Sequence, residues 1–557
     1  MAGLIFAALC TLAAWFANAA TDSAARWYST VPPVLAIALA FLTRNVFLSL
    51  GAAVIAGGLL TSIPAAPTSL DAWVAGVKAA ASVIIATAAN RTSLLTLSFV
   101  APIFAMVEIV IAAGGFRGIV VWLMKRVRSG KSAQLATATM GVLCFIDDYA
   151  SSIIVGSMMQ PITDRFRVSR AKLAFLVDAT SAPVSGLAIV STWIIFETSL
   201  FAGVSEQLGL GKSGYAMFFD ALSFRFYCLL LLGFVYAHVL LGRDFGPMRV
   251  AEEQAHNGVP QNDDLKAAAT SDAPGRAITA LLPLAGLVLF HLTGLWLNGG
   301  GPAKLTGIGS LLSPTYWQAV IGAAQHSQQI LVCAALFGTA TAVLCGWLTG
   351  SLRASVVPGC IYRGIRRAIL PCVILILAWS LKNCCQSLGT GQFLAGLLAD
   401  RLPAYCFPPL LFLVACVISF ATGTSYGTMA ILIPTAIPIA YAVDGNTYGL
   451  TTVISLGAVL DGAIFGDHCS PISDTTILSA TASSCDLIQH TRTQLPYSLV
   501  VAAAALVCAY TPSAFGIAPL WSFIAAMLVL LAVLFTAGRR AKAATQSVRE
   551  PLAPELL

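Results

Sequence analysis

The stretch FIDDYASSIIVG, residues 145–156, places two adjacent carboxylates inside an otherwise apolar segment. A charge at the centre of a bilayer costs about 2.5–3.5 kcal/mol on insertion scales, so acids there are functional candidates. Asp147 and Asp148 are neighbours and cannot share one face of a regular helix or strand. At a hairpin tip, one of them can face a cation while the other caps a half-helix. The alternative is that both are structural caps.

The composition is that of a polytopic membrane protein. The 557 residues are 58% hydrophobic and only 10% charged, whereas soluble domains carry about 25% charged residues. The mean hydropathy is +0.85. Because roughly 20 apolar residues cross a hydrocarbon core, we predict 11 to 13 transmembrane segments. The apolar runs lie near 31–62, 92–124, 134–160, 172–204, 218–241, 277–298, 318–349, 368–384, 407–441, 449–480, 497–510 and 519–537.

The distribution of charge indicates which partners to expect. The formal charge is +7, but the basic residues form short clusters at the ends of apolar segments, which is the positive-inside pattern. We therefore expect a lipid bilayer, small cations and protons as partners, and no nucleic acid; a homodimer is left open. The 14 cysteines contain no CxxC pair and indicate buried small hydrophobes, with no zinc site or disulfide framework. No cofactor is expected.

The basic clusters also predict a re-entrant hairpin. If the clusters at 125–131 and 165–172 are both cytoplasmic, the 32 residues between Lys131 and Asp164 must enter and leave on one side, because two crossings with a turn need more than roughly 40. Asp147 and Asp148 then lie at the tip. When the crossings are counted backwards from the basic cytoplasmic tail, segment 407–441 is predicted to be a second hairpin. It enters and leaves the membrane on the outside.

Two similar stretches of sequence support an internal repeat. FIDDYASSIIVGSMMQP, from residue 145, and FATGTSYGTMAILIP, from residue 420, share a Phe, a polar tip, small residues and a proline. A long apolar segment with polar interruptions follows each hairpin. We predict an all-α fold of two inverted-topology halves, each with a re-entrant hairpin and a broken helix, and a site near the midplane, as in secondary transporters.

The same pattern divides the chain. We predict an N-terminal transport half at 31–242, a polar cytoplasmic linker at 243–276, in which GPMRVAEEQA begins a short surface helix, and a C-terminal transport half at 277–537. Residues 538–557 are a cytoplasmic tail. Residues 1–30 resemble a signal peptide without its basic region or form a first helix.

The candidate site residues are polar groups inside apolar segments. Paired carboxylates with hydroxyls and unwound backbone suit a hard cation such as Na⁺, or a proton. The ion-binding candidates are Asp147, Asp148, Asp178, Thr424, Ser425, Thr428, Asp461, Asp467, Ser470, Ser473 and Asp474, with Glu108, Lys382, Asn383 and His468 as accessory residues. Na⁺ is expected on the acids.

Structural roles are the alternatives for several of these residues. Asp178 and Asp461 are also interpreted as helix caps or interhelical hydrogen-bond partners, and His468 as a satisfied polar residue. Glu108 and Lys382 are read either as a charge pair or as side chains that each reach the interface. Glu197 is expected at the interface.

Two long motifs resemble the NhaC-type Na⁺/H⁺ antiporter family. They are FIDDYASSIIVGSMMQPITDRFRVSRAKLAFLVDATSAPV, from residue 145, and GDHCSPISDTTILSATASSCDLIQHTRTQLPYSL, from residue 466. Shorter likenesses include RDFGPMRVAE and GTSYGT. The resemblance implies a prokaryotic inner-membrane antiporter and points to Asp147, Asp148, Asp178, Ser425, Asp467, Ser470, Ser473 and Asp474.

We therefore expect a secondary transporter, not an enzyme, that exchanges Na⁺ (or Li⁺) for H⁺ by alternating access. The first alternative is a Na⁺/H⁺-coupled exchanger or symporter of a small organic anion such as malate or lactate, for which Lys382 is the only midchain cation considered. The second is an intramembrane aspartyl protease, whose GxGD motif is broken by Ile464 before Gly466-Asp467. GTSYG, at 423–427, matches GxSxG, but it lies in an apolar stretch where no hydrolase elbow forms.

Overall fold

The computed structural model of the chain is all-helical, as predicted. It describes residues 27–43, 45–62, 69–124, 127–258, 276–305, 307–313, 316–317, 320–321, 323–324, 326–390, 393 and 403–540. Within these ranges there is no β-strand, only an isolated bridge between Asp244 and Arg539. The 13 cysteines in these ranges are all unpaired and mostly buried.

Thirteen helices of the described residues precede the long polar connection. In chain order they are α1 (Val31–Thr43), α2 (Val46–Ser62), α3 (Leu70–Ala89), α4 (Arg91–Ala112), α5 (Gly115–Met124), α6 (Gly130–Leu143), α7 (Asp148–Arg165), α8 (Arg170–Ala179), α9 (Ala182–Ser185), α10 (Thr192–Leu208), α11 (Gly214–Leu222), α12 (Phe226–Leu241) and α13 (Gly246–His256).

Eleven more helices of the described ranges follow that connection. They are α14 (Ile278–Asn298), α15 (Gly301–Lys304), α16 (Ser327–Leu348), α17 (Val357–Leu388), α18 (Phe407–Thr422), α19 (Ser425–Val443), α20 (Leu450–Cys469), α21 (Asp474–Ala482), α22 (Leu487–Ala504), α23 (Thr511–Ala514) and α24 (Pro519–Thr536).

The number of membrane spans agrees with the lower end of the predicted range. Ten helices of the described residues are long and apolar enough to cross a membrane, and α11 with α12, bent by 50° at their break, forms one more. Two shorter apolar helices cover Tyr28–Leu39 and Val46–Thr61. The chain is therefore a multi-pass membrane protein.

Both predicted hairpins consist of two packed helices that meet at a polar break. In hairpin 1, α6 and α7 pack together and join through residues 144–147. In hairpin 2, α18 and α19 pack together and join at Gly423 and Thr424. The expected tip residues thus lie at the breaks. The side of the membrane from which each hairpin enters stays a prediction.

Each hairpin is followed by a broken helix, and the two units contact each other reciprocally. Broken helix 1 consists of α8, α9 and α10, and broken helix 2 of α20 and α21, with residues 470–473 between them. The second arm of hairpin 1, α7, packs on α21, while the second arm of hairpin 2, α19, packs on α10. The order of elements therefore recurs, and the breaks of both units meet at the centre of the fold.

Helices α18 and α20 share the most extensive contact among the described helices. Gly462 and Gly466 of the sequence GAIFG face α18, and small residues at this spacing let helix backbones approach closely in membranes. A Cβ on Gly462 would lie 2.6 Å from the carbonyl oxygen of Phe412, and one on Gly466 would lie 2.6 Å from that of Cys416. This contact fixes hairpin 2 to broken helix 2.

A buried ion pair holds the start of the polar linker. Lys172 of α8, with no exposed surface, pairs with Asp244, which also accepts a hydrogen bond from the Tyr497 hydroxyl at 2.6 Å. Burial alone would raise the pKa of Asp244, but Lys172 holds the pKa below its ordinary value. The GPMRVAEEQA segment forms α13, as predicted. Residues 259–275 of the linker, 1–26 of the N-terminal segment and 541–557 of the tail lie outside the described residues.

Candidate functional site

Asp147 is the N-cap of α7. Its Oδ1 accepts the backbone N–H of Ala150 at 2.8 Å, and its Oδ2 accepts the Thr192 hydroxyl at 3.3 Å. The side chain is buried, so both of its oxygens are engaged by groups of hairpin 1 and broken helix 1. One of the two adjacent acids therefore has the capping role considered from the sequence.

Asp148 is also buried, but it does not cap the helix. Its carboxylate lies within electrostatic range of Asp147, Asp467 and Asp474. The indole of Trp193 adjoins it, although Nε1 forms no hydrogen bond among the described residues. Asp148 is thus the acid of hairpin 1 that is free to face a cation.

The tip of hairpin 2 carries hydroxyls instead of acids. Thr424 caps α19 by accepting the Gly427 N–H at 3.3 Å. Ser425 donates to Asp467 Oδ2 at 2.8 Å and lies 3.1 Å from the Ala463 carbonyl oxygen. The Thr428 hydroxyl donates to the Thr424 carbonyl at 2.9 Å within its own helix. Ser425 is therefore the hydroxyl of this tip that reaches a carboxylate.

The break in broken helix 2 brings two more acids to the tips. Ser473 donates to Asp467 Oδ1 at 2.5 Å, so the Asp467 carboxylate is held by one serine on each oxygen. Ser470 instead donates to the Phe420 carbonyl at 2.8 Å. Asp474 accepts a hydrogen bond from Tyr149, the residue after Asp148. This bond joins broken helix 2 directly to hairpin 1.

The four acids at the tips, Asp147, Asp148, Asp467 and Asp474, are called the central acidic cluster. Three are almost fully buried, and Asp474 is exposed. Throughout the described parts of the chain, no lysine or arginine forms a salt bridge with any of them. Their hydrogen bonds come only from hydroxyls and backbone amides. Uncompensated carboxylates in a buried site require a proton or a cation.

Asp178 and His468 lie behind the cluster in a separate polar network. Asp178 accepts hydrogen bonds from Gln494 Nε2 at 2.8 Å and Ser479 at 3.3 Å, and its Oδ2 lies 3.2 Å from His490 Nε2. His468 Nδ1 lies 3.0 Å from the Tyr227 hydroxyl. Asp178 therefore forms the interhelical hydrogen bonds that were its structural alternative, whereas His468 is only partly satisfied, because its buried Nε2 has no hydrogen-bond partner among the described residues.

Arg225 forms a second buried ionic centre that sequence reasoning missed. It lies in the bent break between α11 and α12 and has no exposed surface. Its Nε donates to Asp461 Oδ1 at 2.8 Å, and its Nη1 lies 3.3 Å from Glu197 Oε2. Tyr510 also donates to Asp461, at 2.8 Å. We call Arg225, Glu197, Asp461 and Tyr510 the Arg225 centre.

This centre changes three expectations. Glu197 was expected at the interface. This expectation is wrong, because Glu197 is fully buried and its charge is compensated by Arg225. Asp461 is separated from the cluster by its bonds to Arg225 and to the Tyr227 backbone amide. Lys382 is not the only midchain cation. The rule that flags intramembrane acids applies equally to an arginine within an apolar segment and would have found Arg225.

The accessory residues do not form the charge pair that was considered. Glu108 accepts hydrogen bonds from Arg363 at 2.9 Å and Arg367 at 2.8 Å. Lys382 Nζ instead lies 3.3 Å from Glu206 Oε2. A Glu108–Lys382 pair is therefore wrong. Asn383 donates to Thr87 at 3.0 Å.

The donor set at the tips suits a hard monovalent cation. The described residues contain no group of three His, Cys, Asp or Glu side chains arranged to hold a metal ion. Carboxylates with serine hydroxyls and helix-end carbonyls are oxygen ligands, which hard cations prefer. As a transported ion, Na⁺ would be held by few acids and by neutral oxygens.

Comparison with known proteins decides the family. The model of the Na⁺/H⁺ antiporter family matches residues 184–511, more than half of the chain. This chain belongs to the Na⁺/H⁺ antiporter family. The match includes the Arg225 centre, hairpin 2 and broken helix 2, whereas hairpin 1 precedes it. Members of the family are secondary transporters, so the antiporter is not an enzyme.

Individual proteins resemble the chain in sequence or in fold. An uncharacterized Haemophilus influenzae protein is 29% identical over 93% of the antiporter and 97% of its own length. The malate-2H⁺/Na⁺-lactate antiporter of Bacillus subtilis is 36% identical over 20% of this chain and 24% of its own. The Alcanivorax borkumensis YdaH transporter has a similar fold, with a TM-score of 0.56 at 16% identity over 88% of this chain and 99% of that one.

Proposed function

We propose that this antiporter exchanges Na⁺ (or Li⁺) for H⁺ across a prokaryotic inner membrane by alternating access. The observation that carries the proposal is the central acidic cluster, whose acids come from both repeats and form no salt bridge with a basic side chain among the described residues. Membership of the Na⁺/H⁺ antiporter family supports the same ions.

The cluster provides a physical basis for coupling. Neighbouring buried carboxylates repel each other and cannot all stay ionised without a counter-charge. Either a proton or a Na⁺ ion bound at the site relieves this repulsion. Once one of them is bound, the carboxylates attract the other less strongly. Binding of one ion therefore favours release of the other, which is exchange when the site faces the two sides of the membrane in turn.

The residues have separate roles in this scheme. Asp148 holds the proton or the cation, because its carboxylate is not used as a cap. Asp467 shares the ion from the other repeat, and Ser425 and Ser473 orient it. Asp147 positions hairpin 1 through its bond to Ala150. Asp178 lies outside the cluster and supports broken helix 2 by accepting a hydrogen bond from Ser479.

The test is dissipation of a pH gradient in inverted membrane vesicles from a strain without its own antiporters. Na⁺, Li⁺ and K⁺ are added in turn to vesicles with the wild type, Asp148→Asn, or the control Glu253→Gln, which removes a carboxylate from a half-exposed pair on α13. We expect Na⁺ or Li⁺ to collapse the gradient with the wild type and the control, and Asp148→Asn to abolish the response. An Asp148→Asn protein, present in the membrane at normal amounts, that exchanges ions at the wild-type rate would show that the site is wrong.

An organic anion coupled to Na⁺ and H⁺ is the second candidate. It is favoured by the partial similarity to the malate-2H⁺/Na⁺-lactate antiporter. The Arg225 centre does not supply a site for such an anion, because two carboxylates already flank the guanidinium. In the same vesicles, a collapse that requires malate or lactate in addition to Na⁺ would establish this candidate in place of the first.

A further inference from the structure

A polar cavity of about 180 Å³ lies at the far ends of α10 and α17, away from the central acidic cluster. Helix α10 starts at Thr192, beside Asp147, and lines the cavity from Ser199 to Gln207. At 1.5 Å per residue, about 10–22 Å separate Thr192 from these lining residues along the helix. The cavity is lined by polar side chains that include Asn90, Glu206, Gln207, Lys382, Asn383 and Gln386.

Lys382 is the cationic group of this cavity, and the hydrogen bonds of its ammonium to the protein are long. Its side chain is only 8% exposed, yet its ammonium contacts the Gly203 carbonyl and Glu206 at 3.3 Å each. Charge-assisted N–H···O bonds are normally about 2.7–2.9 Å long, and an ammonium has three donors. Lys382 therefore retains donor capacity that a carboxylate entering the cavity would use.

Gln207 supplies an acceptor that the protein leaves unused. Its Oε1 is buried and accepts no hydrogen bond from any described residue. An unsatisfied buried polar atom costs about 1–3 kcal/mol, which a ligand donor would recover. The Glu206 carboxylate precedes it in sequence and is 65% exposed at the cavity mouth. The lining thus offers a positive and a negative group together.

We infer that this cavity binds a small zwitterion, an amino acid with a short side chain, with its carboxylate on Lys382 and its ammonium on Gln207 Oε1 and Glu206. The volume accommodates such a ligand: at about 30 Å³ per water molecule, the cavity has room for roughly six waters, and alanine fits within that space. The site lies outside the ion-exchange cluster, and the inference does not rest on the function proposed above.

Thermal unfolding of the purified full-length protein in detergent tests the inference without any transport assay. The probes are L-alanine, lactate, which has a hydroxyl in place of the ammonium, and ethylamine, which lacks the carboxylate. We expect alanine to raise the Tm in a saturable way, because a ligand that binds only the folded state stabilises it. Lactate and ethylamine should bind at least about tenfold more weakly, since each leaves one charged group of the cavity unpaired.

Two variants and a control locate the binding. Lys382→Met and Gln207→Leu should each weaken the alanine response by about tenfold or more, in line with the loss of a charged hydrogen bond. Lys212→Met, which removes an ion-paired lysine outside the cavity, should leave it unchanged. Absence of a Tm shift with alanine, an equal shift with lactate, or an unchanged affinity in both cavity variants would overturn the inference.

Discussion

The central acidic cluster and the Arg225 centre are built from the same kind of residue with different outcomes. Asp461 and Asp467 lie on the same helix, α20, and both are buried. Asp461 is paired with the Arg225 guanidinium, while the hydrogen bonds to the Asp467 carboxylate from the described residues come from two serine hydroxyls. Counter-charge, and not burial, therefore separates an acid that holds the fold together from one that must find a cation or a proton.

The largest expected effect comes from breaking the Arg225 centre. Arg225→Met leaves Glu197 and Asp461 buried without a positive partner, which costs about 3–5 kcal/mol of folding free energy. We expect a clear fall in Tm in detergent and less protein in the membrane. Asp148→Asn should show no comparable loss of stability, because it removes repulsion and not a partner.

A triple variant sharpens this comparison. Arg225→Met combined with Glu197→Gln and Asp461→Asn removes the whole ionic set, and replacement of a complete buried ion cluster is often close to neutral. Most of the lost stability should therefore return. If Arg225→Met alone unfolds at the wild-type temperature, the centre does not have the structural role assigned to it.

An intermediate effect is expected where hairpin 2 meets Asp467. Ser425→Ala removes a hydrogen bond to a charged group, worth about 1.5–3 kcal/mol. Since 1.4 kcal/mol corresponds to a factor of ten, half-maximal exchange should require about tenfold or more Na⁺. Thr428→Val is the matched control, because its hydroxyl donates within its own helix, to the Thr424 carbonyl. Equal effects of the two substitutions would contradict the separate roles of these hydroxyls.

The smallest effect concerns the cap of hairpin 1. Asp147→Ala removes the acceptor for the Ala150 N–H and should cost about 0.5–2 kcal/mol of stability. Asp147→Asn retains a capping oxygen, so its Tm should stay near that of the wild type, with exchange reduced but present. If Asp147→Asn abolishes exchange as completely as Asp148→Asn, both acids of the pair hold the ion.

Local features of the sequence predicted much of this molecule. The polar tips inside apolar runs correctly located both hairpins, and the adjacency of Asp147 and Asp148 indicated that one acid caps a helix. The ion pairs could not be read in this way, because their partners are distant along the chain. Arg225 and Asp461 are 236 residues apart, and Glu108 and Arg367 are 259 apart. Only the fold determines which acids are compensated.

The glycine contact between α18 and α20 has a mechanical consequence. Because Gly462 and Gly466 have no side chains, the two backbones touch along this face of α20, whereas Phe465 packs against Tyr227 of α12. In the proposed alternating access, we therefore expect hairpin 2 and the first half of broken helix 2 to move as one body, with the Ser425–Asp467 bond intact. The contact that opens would then lie along hairpin 1, where the Tyr149–Asp474 hydrogen bond joins it to broken helix 2.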